Sequence, residues 1–248
     1  MIVFEITGKE DNPVYQALEV ANGNRQYDFL RTIVWASLEM GRPFLSQHVI
    51  KAFNFHAIVC LHTNAGEYRP CPVTVGDHRP PEHYRVPALM DDFVNLVNRN
   101  WDQDPVVLAT YVLWRLNNIH PFINGNGRTA RAASYFVLCL KSGGWLRGET
   151  ILPELIRQNH QEHVVALQEA HDSFAATGTP NLDRLHALVT RLLDEQLSGA
   201  GIQPGDDEPQ AEAPKAAPTP NPESGRSLGD ILGEALASRS KGEGEGEK

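Results

Sequence analysis

Across residues 1–198 the apolar side chains repeat three and four positions apart, and only one short stretch, Val73-Thr74-Val75, alternates. A three-and-four repeat puts apolar groups on one face of a helix, whereas a half-buried strand needs alternation, so packed helices are the expected fold. Phe29, Leu30, Ile33, Val34 and Leu38 mark a helix over 27–40 that stops at Gly41 before Pro43, and Ser46 caps a second one reaching 61. A helix is predicted over 86–98, and another from Pro105 through 117, where Val106, Ala109, Leu113 and Leu116 form a stripe. The next begins near Gly127 and turns Ala130, Ala133, Val137 and Leu140 inward, and two more fit 153–176 and 182–197. Turn formers such as Asn64-Ala-Gly and Pro80-Pro81 bracket the alternating triplet, which therefore reads as a small β-hairpin and not a core sheet.

The last fifty residues break this pattern. Segment 199–248 holds nine of the 20 glycines and six of the 17 prolines without any period, the composition of a disordered tail after one folded domain over 1–198. Ten acids against five bases in that tail account for more than half of the net charge of -9. Neither part has the basic excess that would mark nucleic acid or an anionic membrane as a partner. Leu228, Ile231, Leu232, Ala235 and Leu236 recur at helical spacing behind Ser227, so a short helix over 227–237 is expected to form against a partner or the body of the protein. No apolar run is long enough to cross a bilayer and the first residues turn acidic at once, which predicts a cytoplasmic location. Cys60, Cys71 and Cys139 are odd in number and lack metal-ligand spacing, so they read as reduced thiols.

The chemistry concentrates in His120-Pro121-Phe122-Ile123-Asn124-Gly125-Asn126-Gly127-Arg128-Thr129-Ala130-Arg131, between two predicted helices. Two glycines flanking one asparagine let backbone amides approach a ligand with no side chain in the way. The loop runs into a helix whose first turn presents unpaired amides and the positive end of its dipole, with Arg128 and Arg131 sharing a face there. Guanidinium forks bind two phosphate oxygens at once, so the segment suits a polyphosphate held by Gly125, Asn126, Gly127, Arg128 and Arg131. His120, fixed by Pro121 and anchored by Phe122, stands where an imidazole could take a proton from an attacking hydroxyl. Of the other histidines, His160 and His163 lie one turn apart and read as solvent-facing positions instead of a metal pair, and His78 and His83 flank the two prolines near the hairpin.

This segment resembles the Fic motif, His-Pro-Phe-x-(Asp or Glu)-Gly-Asn-Gly-Arg followed by a second arginine. Gly66-Glu67-Tyr68-Arg69 is similar to that family's Gly-x-Tyr-Arg element, Val73-Thr74-Val75-Gly76 to its target-docking flap, and Arg115-Leu116-Asn117-Asn118-Ile119 to the usual approach, the likeness covering about 25–145. The resemblance implies an all-α bundle of the Fic type with a small β-hairpin flap over the active site. It implies transfer of AMP from ATP to a Ser, Thr or Tyr hydroxyl of a target protein, with His120 as general base and Val73, Thr74, Val75 and Gly76 docking the target.

At the metal position the chain has Asn124 where the family has an acid, so Mg²⁺ is expected but more weakly held. Two other readings stay open: altered transfer, such as phosphorylation or use of another nucleotide, and a nucleotide-binding interaction module without turnover. The family's inhibitory pattern, (Ser or Thr)-x-x-x-Glu-(Gly or Asn), is not found, and Thr190 to Glu195 misplaces its acid. Regulation of Arg131 is thus left to a separate inhibitory partner or to 227–237.

Overall fold

The computed structural model describes residues 2–76 and 78–199, within which nine α-helices form. They are α1 (Val3–Thr7), α2 (Pro13–Glu39), α3 (Gln47–Ile58), α4 (Val86–Arg99), α5 (Pro105–Ile119), α6 (Asn126–Lys141), α7 (Leu152–Gln158), α8 (His160–Thr177) and α9 (Asp183–Ser198). Their starts follow cap chemistry. The Asn12 side chain accepts the Val14 N–H at 2.9 Å ahead of Pro13, Ser46 accepts from Val49 at 3.2 Å, and Asp104 accepts from Val106 and Val107 at 2.8 and 3.1 Å ahead of Pro105. Each satisfies amides that the helix itself cannot pair.

The centre is the antiparallel pair α5 and α6, buried on nearly all sides. Small residues at the contact, Ala130, Ala132, Ala133 and Ser134, let the two backbones approach, and Ser134 Oγ donates to the Ala109 carbonyl at 2.8 Å. Helices α2 and α3 cover α6 on one side, α4 leans on α5, and α7, α8 and α9 close the other. A satellite cluster of Val3, Tyr15 and Leu61 attaches α1, whose leading amides reach the carbonyls of Cys60 and Leu61 at 2.9 and 3.1 Å.

The expected all-α architecture is therefore what forms, with three differences. Helix α2 starts fourteen residues earlier than the apolar period indicates, because its first half buries polar side chains, Asn22 and Gln26, whose amides donate to the Val59 and Phe53 carbonyls at 2.9 and 2.8 Å. The helix expected over 153–176 divides at Asn159, whose side chain folds back to the Leu155 carbonyl at 2.9 Å.

The expected β-hairpin flap does not form as a hairpin: among the described residues there is no strand, and Val75 and His78 pair as a single antiparallel bridge at 3.2 and 3.0 Å. Pro70, Pro72, Pro80 and Pro81 lack the N–H groups a longer ladder would use. The tail expected from 199 and its helix over 227–237 lie outside the described residues, apart from Gly199.

Helix α9 is tied to the rest by one buried amide. Gln196, 2% exposed, accepts the Leu152 N–H at 2.6 Å and donates to Tyr135 Oη at 2.9 Å and the Arg147 carbonyl at 3.1 Å. Gln196→Ala leaves these groups buried without partners and should cost about 1–3 kcal/mol, read as a lowered urea midpoint. An unchanged midpoint would show that α9 is held by its apolar face alone.

Candidate functional site

The loop between α5 and α6 is built from outside itself. His120 ends α5 in the left-handed region, φ 50° and ψ 60°, a conformation that costs a non-glycine residue about 1–2 kcal/mol. Arg69 offsets that cost: 2% exposed, it donates from Nε to the His120 carbonyl at 2.8 Å, and its backbone N–H donates to the Pro121 carbonyl at 2.9 Å. The rest of its guanidinium holds the Cys71 carbonyl at 3.0 Å and the Pro81 carbonyl, so one side chain sets both the His120 turn and the two ends of the flap segment.

Phe122 is wholly buried, as expected of an anchor, and its backbone exchanges two hydrogen bonds with the Asn126 side chain, both 2.9 Å. That clasp spends the Asn126 amide on the loop, leaving its backbone N–H for a ligand. Gly125 caps α6 at φ +73°, and a Cβ there would stand 2.6 Å from Ile58 Cγ2, so only glycine fits. A Cβ on Gly127 would lie 3.3 Å from Arg131 Nη1, which places the Arg131 side chain back over the first turn of α6. No side chain caps that turn, so the amides of Asn126, Gly127 and Arg128 and the helix dipole face outward beside two guanidiniums.

The arginines differ in state. Arg128 is engaged: it donates to the Ala57 carbonyl at 3.0 Å and to Asn124 Oδ1 at 3.2 Å, and pairs with Glu19 of α2 at 3.2 Å. Arg131 is largely enclosed, its Nε has no hydrogen-bond partner, and burial lowers its pKa. Asn124 bridges Arg128 and Glu10, donating to Glu10 Oε1 at 3.3 Å, and its carbonyl accepts from Asn54 at 2.9 Å. Among the described residues no group of three His, Cys, Asp or Glu could hold a metal, and the Asn124 Oδ1 is engaged by Arg128.

Two further histidines crowd the expected base. His78, from the flap segment, donates from Nε2 to the Asn118 carbonyl at 2.9 Å and stacks on His171 of α8, centroids 4.0 Å apart and planes 15° off parallel. Asn118 also faces His171 Nδ1 at 3.4 Å and accepts from Arg115 at 2.8 Å. Burial first, then His78 and Arg69, pull the His120 pKa down to about 4 against a counteracting hydrogen bond to the Asn117 backbone, so the imidazole is neutral at pH 7. Val73 is half-buried, while Thr74, Val75 and Gly76 are exposed.

The residues singled out from 120–131 lie in the loop and first turns between α5 and α6, and Glu19, Asn54 and His171, which meet them or their neighbours, were not singled out from the sequence. Glu19 had only a weak signal: Tyr15-x-x-x-Glu19-Val20 has the spacing of the inhibitory pattern but tyrosine for its serine or threonine and valine for its glycine or asparagine, and its acid meets the first motif arginine instead of the second. His163, expected to face solvent, is 4% exposed, with Nε2 unpartnered, because α8 turns it toward Arg131.

Residues 44–138 match the model of the Fic/DOC family. Over 68 residues, 27% of this chain, the sequence is 43% identical to the protein adenylyltransferase Fic of Drosophila persimilis and 41% identical to that of Drosophila willistoni. The match spans only 13% and 14% of the length of those curated relatives. Among solved structures, Fic-1 (residues 134–508) from C. elegans superposes with a TM-score of 0.61 at 21% identity, covering 79% of this chain and 55% of that one. A Fic domain-containing signalling protein from Bacteroides thetaiotaomicron gives 0.59 at 21%, covering 80% and 79%. At such identities the likeness is one of fold.

Two buried histidines, His163 and His171, and the half-buried His120 make stability depend on pH with a definite sign. Burial lowers His120 to about 4 and both His163 and His171 to about 3, below the ordinary 6.5. Between those values the unfolded chain binds more protons than the folded one, so stability is complete above the ordinary value and falls as pH drops toward the folded pKa values. Urea midpoints measured across that window should fall steadily with acidification, and His163→Leu should flatten the slope. A midpoint independent of pH there contradicts neutral burial of these rings.

Proposed function

Since the chain belongs to the Fic/DOC family, we propose that it transfers AMP from ATP to a Ser, Thr or Tyr hydroxyl of a target protein. The features that carry this reading are the His120 imidazole, whose pKa burial lowers to about 4, and the start of α6 in the same motif, which has no side-chain cap and bears Arg128 and Arg131. Backbone amides from Gly125 to Gly127 and the Arg128 guanidinium bind the β- and γ-phosphates, and Arg131 supports them from across the first turn of α6. The phosphates displace Glu19 from Arg128, one charge-assisted contact replacing another.

His120 accepts the proton of the target hydroxyl as its oxygen bonds to the α-phosphorus. The bond from that phosphorus to the bridging oxygen breaks, and pyrophosphate leaves with its charge met by the helix end and the arginines. A base with a pKa of about 4 is weak, but the triphosphate brings negative charge to its side and raises that value toward the working range. Burial thus keeps the ring unprotonated until substrate arrives. Asn124 Oδ1 would be the neutral protein oxygen offered to a magnesium ion accompanying ATP, and such an ion would supply neutralisation of phosphate charge.

Intact-mass analysis of a candidate target incubated with the protein and ATP should show the addition of AMP. An added phosphate would select altered transfer, and ATP binding with no covalent change would select an interaction module. His120→Ala should lower the rate by about 10²-fold or more while leaving ATP affinity nearly intact. A variant that still modifies its target at the parent rate removes His120 as the base.

Asn124→Asp restores a charged oxygen beside Arg128 and should lower the magnesium concentration that gives half-maximal transfer. A titration curve unmoved by the substitution would mean that position 124 does not touch the metal.

A further inference from the structure

A groove of about 700 Å³ opens between the flap segment and α8, lined by Val75 and Gly76 on one wall and by Val164, Val165, Gln168, Glu169 and Asp172 on the other. Its valines are unusually open for aliphatic side chains: Val75 is 39%, Val164 42% and Val165 37% exposed. On α8, residues 165, 168, 169 and 172 follow i, i+3, i+4, i+7 spacing, so they form one stripe along the helix, aliphatic toward its N-terminus and acidic toward its C-terminus. The Asp172 carboxylate accepts from Gln168 at 2.8 Å, and Glu169 pairs with Arg184, half exposed, at 3.7 Å. The acidic end is also the end nearest the chemistry. Asp172 follows His171, which stacks on His78, and His78 bonds the carbonyl of Asn118, two residues before His120.

The geometry points to this groove as the selector of the target polypeptide, taking an extended segment in which a Lys or Arg sits between the modified hydroxyl and an aliphatic side chain. The inference rests on the proposed transfer to a protein hydroxyl and adds to it a rule for which hydroxyl is chosen. The exposed backbone of Thr74 to Gly76 offers the edge, the valines an apolar seat, and the two carboxylates a seat for a cation. From Val165 to Asp172 the helix rises about 10 Å, the reach of about three extended residues, which sets the spacing between aliphatic and basic side chains at two to four positions. Arg184 offsets part of the Glu169 charge, while burial lowers the pKa values of His78 and His171 and so disfavours a cation on either ring beside Asp172. Charge also argues against the chain's own segment 199–248 as occupant, because that segment carries ten acids against five bases.

Fluorescence anisotropy with the full chain and short labelled peptides tests the rule directly. One peptide carries serine, then lysine, then valine at that spacing, and its control has glutamate for lysine. The lysine peptide should bind about tenfold more tightly, an advantage that Glu169→Gln with Asp172→Asn reduces and Glu169→Lys with Asp172→Lys reverses, with ATP affinity unchanged in both variants. Equal binding of the two peptides overturns the proposal, as does a preference that survives charge reversal. Binding of the lysine peptide that appears only after deletion of 200–248 also overturns it, making the chain's own tail the occupant. Selective binding with no AMP on the serine would sink the proposed transfer and leave the docking rule standing, whereas AMP added equally to both peptides would do the opposite.

Discussion

The site depends on one buried amide. Asn54 of α3, wholly enclosed, accepts the Gly66 N–H at 3.0 Å, and donates to the Asn124 carbonyl at 2.9 Å and towards Thr129 Oγ1 at 3.3 Å. Three segments remote in sequence are thereby fixed to one point: the entry to the flap, the motif loop and the first turn of α6. The steric demands agree with that anchorage. Gly66 sits at φ +77° with a Cβ position 3.1 Å from the Lys51 carbonyl, and Gly125 is closed against Ile58 and Asn54 itself. Loss of the amide would leave a buried N–H and a buried carbonyl without partners, so the loop cannot relax without a penalty elsewhere.

On that frame, electrostatics divide the labour between burial and exposure. The start of α6 is capped by Gly125 with no side-chain acceptor, which costs the free protein about a few tenths of a kcal/mol against a hydrogen-bonding cap and leaves its first amides without a side-chain partner. Glu19 occupies Arg128 in the free protein, so the guanidinium is already oriented, and under the proposed function a phosphate would take the place of Glu19. Its exchange is between two charge-assisted partners and carries little net desolvation, in contrast to extracting an unpaired arginine from a dry site. Arg131 stands at the other extreme, with an unpartnered Nε and a lowered pKa, a group whose enclosure is repaid only when negative charge comes close.

Most of the fold was legible because α5 and α6 obey simple rules. Their caps, Asp104 with Pro105 and Gly125, and their inward-facing residues follow local chemistry that a sequence displays. Legibility failed where polar side chains occupy the interior. Asn22, Gln26 and Asn54 look like surface residues in a hydropathy pattern, yet each is buried because its amide meets a backbone group supplied by a distant segment. Such partners are a property of the assembled structure and leave no local period. His171 was hidden for the same reason, since nothing in its surroundings along the chain foretells a ring from residue 78 lying upon it.

In the flap, local rules are too weak to decide the conformation. A hairpin would have fixed its own register through a ladder; the prolines around it leave one bridge, so its position must come from outside. Arg69 gathers its two ends through the Cys71 and Pro81 carbonyls, and His78 pins its return limb to Asn118. Both restraints act on the turn that holds His120, from Arg69 to its carbonyl and from Asn118 through the end of α5. The exposed segment 74–76 and the His120 turn are thus positioned by the same few atoms, and a segment with little structure of its own is held in register with the motif loop.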